Sequence, residues 1–87
     1  MKPKEKTEEK KNIIGKQVVK VRRKQGLLQK DLVARLQVAG TDISASGLSK
    51  LEGQTRQVTD IELVAIAAAL HVSTEELLKG KEKYRKI

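Results

Sequence analysis

The stretch from Gln29 to Glu52 constrains the fold most, because two short helical patterns meet in it. Apolar residues recur there at the three-to-four spacing that places side chains on one face of a helix. They are Leu32, Val33 and Leu36 in the first half, and Leu48 and Leu51 in the second. Residues 39–42 interrupt the period, and Ser44 is placed to cap the second helix. Two short helices set around a corner predict a helix-turn-helix.

The chain is strongly basic, and its charge is unevenly distributed. It has 19 Lys and Arg against 11 Asp and Glu, a formal net charge of +8. Most cations of the central segment come early, and most of its acids come late. The early cations are Lys16, Lys20, Arg22, Arg23, Lys24 and Lys30, and the late acids are Asp60, Glu62, Glu75 and Glu76. A basic front favours an anionic partner such as nucleic acid, because neutralised phosphates release counterions.

Composition limits the class of protein further. Eighty-seven residues form one small domain. No apolar run approaches the ~18 residues that a transmembrane helix needs, and the N-terminus lacks the apolar segment of a signal peptide. The chain has no cysteine, and therefore neither a disulfide framework nor a thiolate metal site. We expect a cytoplasmic protein.

Both ends of the chain are predicted to lie outside the folded domain. Residues 1–12 are mostly Lys and Glu and bury too little apolar surface to order themselves, so we expect a disordered charged arm. Such an arm either only solvates the domain or follows DNA phosphates. Residues 80–87 are expected to form a flexible basic tail, which leaves residues 13–79 as the folded domain.

Five short helices around an aliphatic core are predicted, and no segment alternates as a strand does. The first helix begins near residue 13 and stops at Gly26. The second starts at residue 28 or 29 and ends near 37, and the third covers about 45–52. Two pairs with the spacing of a capping box open the fourth and fifth helices. They are Thr59 with Glu62, and Ser73 with Glu76.

The fourth predicted helix is apolar nearly all round, which is typical of the buried centre of a small bundle. Its apolar residues include Ile61, Val64, Ala65 and Ala68. Tyr84, the only aromatic residue, is expected outside the bundle. Modules that bind single strands or RNA stack bases on aromatic side chains, so those classes are not expected.

Five short motifs combine within residues 14–78. They are Arg22-x-x-x-Gly26-Leu27-x-Gln29, Leu32-x-x-x-Leu36, Ile43-Ser44, Leu48-Ser49-x-Leu51-Glu52 and Val72-Ser73-x-x-Glu76-Leu77-Leu78. The combination resembles the lambda-repressor-like helix-turn-helix family, the Cro and phage-repressor type also called XRE. The resemblance covers roughly three-quarters of the chain. It implies a compact all-α domain that binds specific double-stranded DNA as a transcriptional regulator, a repressor rather than an activator.

The resemblance also implies which residues contact DNA. The third helix would enter the major groove. Its base-facing positions are Ala45, Ser46, Gly47, Ser49 and Lys50. Phosphate contacts are expected at the start of the second helix and in the loop after the third. They are Gln29, Lys30, Gln54, Thr55 and Arg56. Gln29 would also brace the third helix.

Arg22 and Glu52 match a pair that forms a structural salt bridge in many members, although direct DNA contact is the alternative.

The family usually acts as a homodimer. A dimer of this chain would use the fifth helix, the tail or the connector between the second and third helices.

The chain departs from the family pattern in three places. Leu28 replaces the usual hydroxyl cap of the second helix, at a cost of about 1 kcal/mol. The connector 37–43 is longer than the commonest form, which predicts either a longer second helix or a loop. The third helix has no Arg, Gln or Asn at base-facing positions, so base readout should be modest. Gly47 either permits close approach to DNA or only avoids a clash.

Two other functions stay open. The same bundle can bind a protein partner, as an antitoxin does. The small side chains of the third helix favour protein binding, whereas the basic front counts against it. An enzyme is not expected, because no nucleophile–base pair or phosphate-binding glycine loop is present. His71 is the only histidine, so neither a metal nor another cofactor is expected.

Overall fold

Helices account for all the regular structure in residues 9–84, the part of the chain that the computed structural model describes. The α-helices are α1 (Gly15–Lys24), α2 (Gln29–Val38), α3 (Ala45–Glu52), α4 (Asp60–Ala69) and α5 (Thr74–Leu77). A 3-10 turn, Lys81–Tyr84, follows α5. The prediction of an all-α fold with five short helices is confirmed for this range, and the bounds of α3 are those predicted.

The core is formed by one apolar stripe from each helix. The leucines that define the predicted stripes of α2 and α3 are fully buried: Leu32, Leu36, Leu48 and Leu51. Val18 of α1, Ile66 of α4 and Leu77 of α5 also belong to the core and are fully buried. Each such side chain stabilises the fold by about 1.5–3 kcal/mol. Within this core α2 packs against α3 and α4, while α1 packs against α3 and α5.

Helix α4 lies at the edge of the bundle, so its predicted central position is wrong. Ile66 and Ala67 face the core, but Ile61 is 75% exposed and Val64 is 59% exposed. The reason is geometric: α4 packs against α2 and α5, which cover only part of its circumference. A helix that is apolar all round carries no signal for which side turns inward.

The corner between α2 and α3 is a loop that is fixed at both ends. The N–H of Thr41 donates to the carbonyl of Leu36 (2.8 Å), and the N–H of Gly40 donates to the carbonyl of Gln37 (3.0 Å). This is the Schellman arrangement, and Gly40 takes the left-handed conformation it requires, with φ +88°. Ile43 then anchors the connector in the core at 2% exposure. The additional residues of the connector therefore form a loop after an α2 that ends at Val38.

Side-chain caps begin three of the helices as predicted. Ser44 Oγ accepts a hydrogen bond from the N–H of Gly47 at 3.0 Å. The box of Thr59 and Glu62 is complete, with both reciprocal bonds at 3.1 Å. For α5 only one half is formed: Ser73 Oγ accepts from the N–H of Glu76 (3.2 Å), and the Glu76 carboxylate pairs with a lysine instead.

Helix α2 starts without a side-chain cap at Leu28, as predicted. The carboxylate of Asp31 compensates in part, because it accepts a hydrogen bond from the N–H of Leu28 at 2.8 Å. Asp31 also places a negative charge in the first turn, where the helix dipole favours it.

The folded part extends past both predicted boundaries. Asn12, assigned to the arm, is buried and binds the carbonyls of Leu51 (3.0 Å) and Arg56 (2.8 Å). Tyr84, assigned to the tail, is half-buried and accepts a hydrogen bond from Gln54 (3.0 Å). Both differences come from contacts between residues far apart in sequence. Residues 1–8 of the predicted arm and 85–87 of the predicted tail lie outside the described residues.

Helices α1 and α3 approach closely at Gly15. A Cβ atom at this position would collide with the carbonyl oxygen of Leu51 and lie 2.9 Å from that of Glu52. Both obstacles are backbone atoms, which cannot move without shifting a helix. Gly15 therefore sets the distance between the two helices.

We expect Gly15→Ala to lower the free energy of unfolding by about 1–3 kcal/mol, the usual cost of overpacking. Urea denaturation followed by circular dichroism measures the change. Gly53→Ala is the matched control, because its new Cβ would have 3.4 Å to the nearest atom at an ordinary φ of −81°. Equal stability of the Gly15→Ala and wild-type chains would show that the helices separate without cost.

Candidate nucleic-acid interface

A buried ion pair joins α1 to α3 next to the candidate interface. Arg22 Nε lies 2.8 Å from Glu52 Oε2, and Arg22 Nη2 lies 3.0 Å from Oε1. The two residues are only 7% and 8% exposed. Arg22 Nη1 donates to the carbonyl of Leu27 at 2.8 Å, so each of the three nitrogens is used within the fold. This geometry fits the structural role expected for the pair and opposes direct DNA contact by Arg22.

Gln29 connects the start of α2 to the same carboxylate. Its Nε2 donates to Glu52 Oε1 at 2.8 Å, and the hydroxyl of Ser49 approaches its Oε1 at 3.5 Å. Glu52 thus accepts from both α1 and α2, and the three helices meet at one side chain. Gln29 braces α3 as the family resemblance implies, while its contact with a phosphate stays a prediction.

The outward face of α3 carries three small side chains and one lysine. Ala45, Ser46, Ser49 and Lys50 are all exposed, as expected for base-facing positions. Gly47 differs, because a Cβ there would lie 3.2 Å from Ser44 Oγ and 3.4 Å from Ile43 Cγ2. Its missing side chain therefore leaves room for the cap inside the protein. The geometry favours the explanation that this glycine avoids a clash.

Gln54 is buried, so its side chain is not available for the phosphate contact predicted at this position. It is 3% exposed, and its Nε2 donates to the backbone carbonyl of Asn12 (3.1 Å) and to the Tyr84 hydroxyl (3.0 Å). Its φ of +64° is the left-handed conformation that ends α3. The N–H groups of Gln54 and Thr55 close this end on the carbonyls of Leu51 and Lys50. A residue other than glycine costs stability in this conformation, and the two side-chain hydrogen bonds offset that cost.

The other two loop residues differ in availability. Thr55 is exposed, and its Oγ1 donates to the carbonyl of Lys50 at 3.2 Å. Arg56 is engaged within the fold, with Nη1 and Nη2 at 3.3 and 3.1 Å from the two oxygens of Glu62. A phosphate that binds Arg56 would compete with this carboxylate. Lys30, at the start of α2, is exposed.

The hydrogen bond from Arg56 holds the pKa of Glu62 below its usual range. Partial burial acts in the opposite direction, and the N–H of Thr59 adds to the lowering. Glu62 therefore both caps α4 and neutralises one of the predicted phosphate-binding cations.

Asn12 is a structural residue of this site that the sequence patterns did not reveal. Its Oδ1 accepts from the N–H groups of Ile14 (3.1 Å) and Gly15 (2.8 Å). Its Nδ2 binds the end of α3 and the following loop, so one side chain joins three segments. Asparagine just before a helix is a capping signal. That signal can indicate the local bonds to Ile14 and Gly15 but not the long-range ones.

The early cations that form the basic front, residues 16–30, are divided between buried and exposed positions. Arg22 is neutralised in the core and adds nothing to it. Four exposed cations instead form a stripe along α1, with Val19 between them, on the side opposite the core-facing Val18 and Val21. They are Lys16, Lys20, Arg23 and Lys24. None of the four takes part in an ion pair within residues 9–84.

His71 lies in the turn after α4 with a φ of +58°. This left-handed conformation is one that glycine adopts without steric cost and other residues adopt rarely. Among the described residues, no group of three or more His, Cys, Asp or Glu side chains could hold a metal ion. In the same range, the helices are too short or too polar to cross a membrane.

Comparisons with protein-family models, with curated proteins and with solved structures found no match. The resemblance to the lambda-repressor-like family therefore stays a prediction from the residues quoted above.

We expect Arg22→Met to lower the free energy of unfolding by about 3–5 kcal/mol, because it leaves the buried Glu52 carboxylate without a cationic partner. Urea denaturation of the variant measures this loss. Arg23→Met, at the exposed neighbouring position, should change stability by less than about 0.5 kcal/mol. The double variant Arg22→Met/Glu52→Met should be more stable than Arg22→Met alone, since it removes the unpaired charge. A double variant that is less stable would contradict this explanation.

We expect Glu62→Gln to destabilise the fold at neutral pH by about 0.2–1 kcal/mol, the range for a partly exposed ion pair. Because the folded state lowers the pKa of Glu62, its contribution is present above the unfolded pKa. It is lost as the pH falls through the folded pKa, so the difference between variant and wild type should shrink in acid. Urea denaturation at a series of pH values tests this, with Glu75→Gln as the exposed control. A difference that is independent of pH would exclude the ion pair as its cause.

Proposed function

We propose that this chain is a transcriptional repressor that binds specific double-stranded DNA through a helix-turn-helix formed by α2 and α3. The observation that carries the proposal is the attachment of α3. Its end is fixed by Glu52 to both α1 and α2, its start is capped by Ser44, and its outer face is left free. A helix that enters a groove needs this combination of rigid support and an uncovered face.

The dimensions of α3 fit the major groove. An α-helix with its side chains is about 10–12 Å wide, and the major groove of B-DNA is about 12 Å wide. Ala45 and Ser46 in the first turn and Ser49 in the next keep the outer face narrow. The helix can therefore approach the base edges without steric conflict.

The chemistry of this face supports modest base readout. Ser46 and Ser49 can bond to several bases, the methyl of Ala45 can contact a thymine methyl, and Lys50 can bind guanine O6 and N7. These groups discriminate less than a bidentate arginine or glutamine would. DNA shape and the spacing of two half-sites would then supply the rest of the specificity.

Phosphate contacts would position α3 on the duplex. Lys30 and Thr55 are exposed at the two ends of the α2–α3 unit, and Gln29 lies beside Lys30 at the start of α2. Arg56 would join them only by leaving Glu62. Repression is the simplest outcome of such binding, because occupation of a promoter is sufficient to block it.

The second candidate function is binding of a protein partner on the same fold. The absence of long polar side chains on the first turn of α3 favours it. Exposed aliphatic side chains on α2 and α4 favour it as well. A partner that is retained after nuclease treatment, together with absent DNA binding, would support this function.

Selection from random duplexes, followed by fluorescence anisotropy over a range of salt concentrations, tests the DNA proposal. We expect binding that weakens steeply with salt, with a logarithmic slope of about −0.9 for each phosphate neutralised. No salt-sensitive binding at low ionic strength would contradict the proposal.

Lys50→Ala separates base readout from phosphate contact. We expect it to weaken binding to the selected site by about 1–3 kcal/mol and to leave binding to unrelated duplexes nearly unchanged. Lys79→Ala, outside the candidate interface, is the control. An equal loss on every sequence, with a slope smaller by about one, would show that Lys50 contacts phosphate only.

A further inference from the structure

One face of α4 is apolar and largely uncovered. It consists of Ile61, Val64 and Ala68, which are exposed, and of Ala65 at its border, which is partly buried against the core; we term these four residues the α4 face. Their spacing of three, four and seven residues places them in one stripe along the helix. Ile61 and Val64 are 75% and 59% exposed. The opposite side of α4 packs against α2 and α5, so Ile61, Val64 and Ala68 point away from the core of the described chain.

A second, mostly apolar depression lies near the end of α4. Ala69, which follows Ala68 in the chain, lines it together with Ala34, Arg35, Val38 and His71. Val38 is 90% exposed, the highest value among the large apolar side chains of the described residues. Single exposed aliphatic residues are common on protein surfaces, but a continuous patch marks an interaction site.

The order of residues along the α4 face is self-complementary. If two α4 helices pair antiparallel about a two-fold axis near Val64 and Ala65, Ile61 of one copy lies beside Ala68 of the other. Val64 then lies beside Ala65 of the other copy. Each large side chain meets a small one, which is the condition for close packing of two helices. A two-fold pairing requires one surface to complement itself in this way.

Charges at the two ends of α4 favour the same orientation. Asp60 is the first residue of α4, is exposed, and takes part in no ion pair within residues 9–84. Arg35 of α2 lies at the other end of α4, where its Nη1 donates to the carbonyl of Ala69 at 2.8 Å. Antiparallel pairing brings Asp60 of each copy toward Arg35 of the other. Parallel pairing would bring the two aspartates together instead.

We propose that a second copy of this chain docks on the α4 face, with the two α4 helices antiparallel and Asp60 paired with Arg35 across the interface. This surface differs from the fifth helix, tail and connector expected from the sequence. The proposal does not depend on DNA binding, because every residue that carries it lies outside the candidate DNA interface. The area offered by one short helix and its border is small, so the dimer should be concentration-dependent.

Sedimentation equilibrium of the full chain without DNA tests the proposal. We expect a monomer–dimer equilibrium that Val64→Glu weakens at least about tenfold, since two carboxylates would meet near the axis. Leu28→Glu is the matched control, because Leu28 is 58% exposed but lies outside the α4 face. It should leave the association constant unchanged. Circular dichroism verifies that both variants remain folded.

A mixing experiment tests the orientation. Asp60→Arg and Arg35→Asp should each weaken self-association. When the two variants are mixed, an antiparallel heterodimer gains attraction at both ends, so association should return to near the wild-type level. A wild-type chain that is monomeric at every concentration would overturn the proposal. A dimer insensitive to Val64→Glu, or a mixture that does not associate, would overturn it equally.

Discussion

The arrangement of the first three helices depends on the buried carboxylate of Glu52. Ionised groups inside a protein are costly unless they are paired and hydrogen-bonded. Glu52 meets this condition only if Arg22 of α1 and Gln29 of α2 both point toward it. Since Glu52 is the last residue of α3 and Gln29 is the first of α2, its hydrogen bonds also set the angle at the corner. The orientation of the candidate reading helix is thus coupled to a buried carboxylate.

Internal pairing also redistributes the positive charge of the chain. Arg22 and Arg56 are neutralised within the fold, so the candidate DNA surface retains Lys30 and Lys50 as its exposed cations. Few phosphates can then be neutralised by one copy, and α3 offers little base readout. Two copies would double both contributions on a two-fold site. The proposed DNA-binding function and the proposed dimer surface therefore rest on different residues. A dimer would nevertheless increase the free energy of DNA binding, because it adds a second set of phosphate and base contacts.

Local signals explain which parts of the fold could be predicted from sequence. Ser44 and the leucine spacing define α3, because capping and periodicity act within a few residues. Arg22 and Glu52 could be paired only through the family resemblance, since no local rule links residues 30 positions apart. Gln54 could not be assigned correctly, because its burial depends on Asn12 and Tyr84, which belong to opposite ends of the chain. The outward face of α4 could not be predicted either, since a uniformly apolar helix carries no directional pattern.

The hydrogen bonds of Gln54 have a consequence for the connectivity of the chain. Its carbonyl accepts from the N–H of Lys11 at 2.9 Å, and its side chain reaches Tyr84 at 3.0 Å. Positions 11 and 84 are therefore near neighbours in space. Closeness of the two ends of a folded domain is the geometric requirement for circular permutation and for insertion of the domain into a host protein. Any segment fused before residue 11 or after residue 84 would also start on the same side of the domain, beside the loop that follows α3.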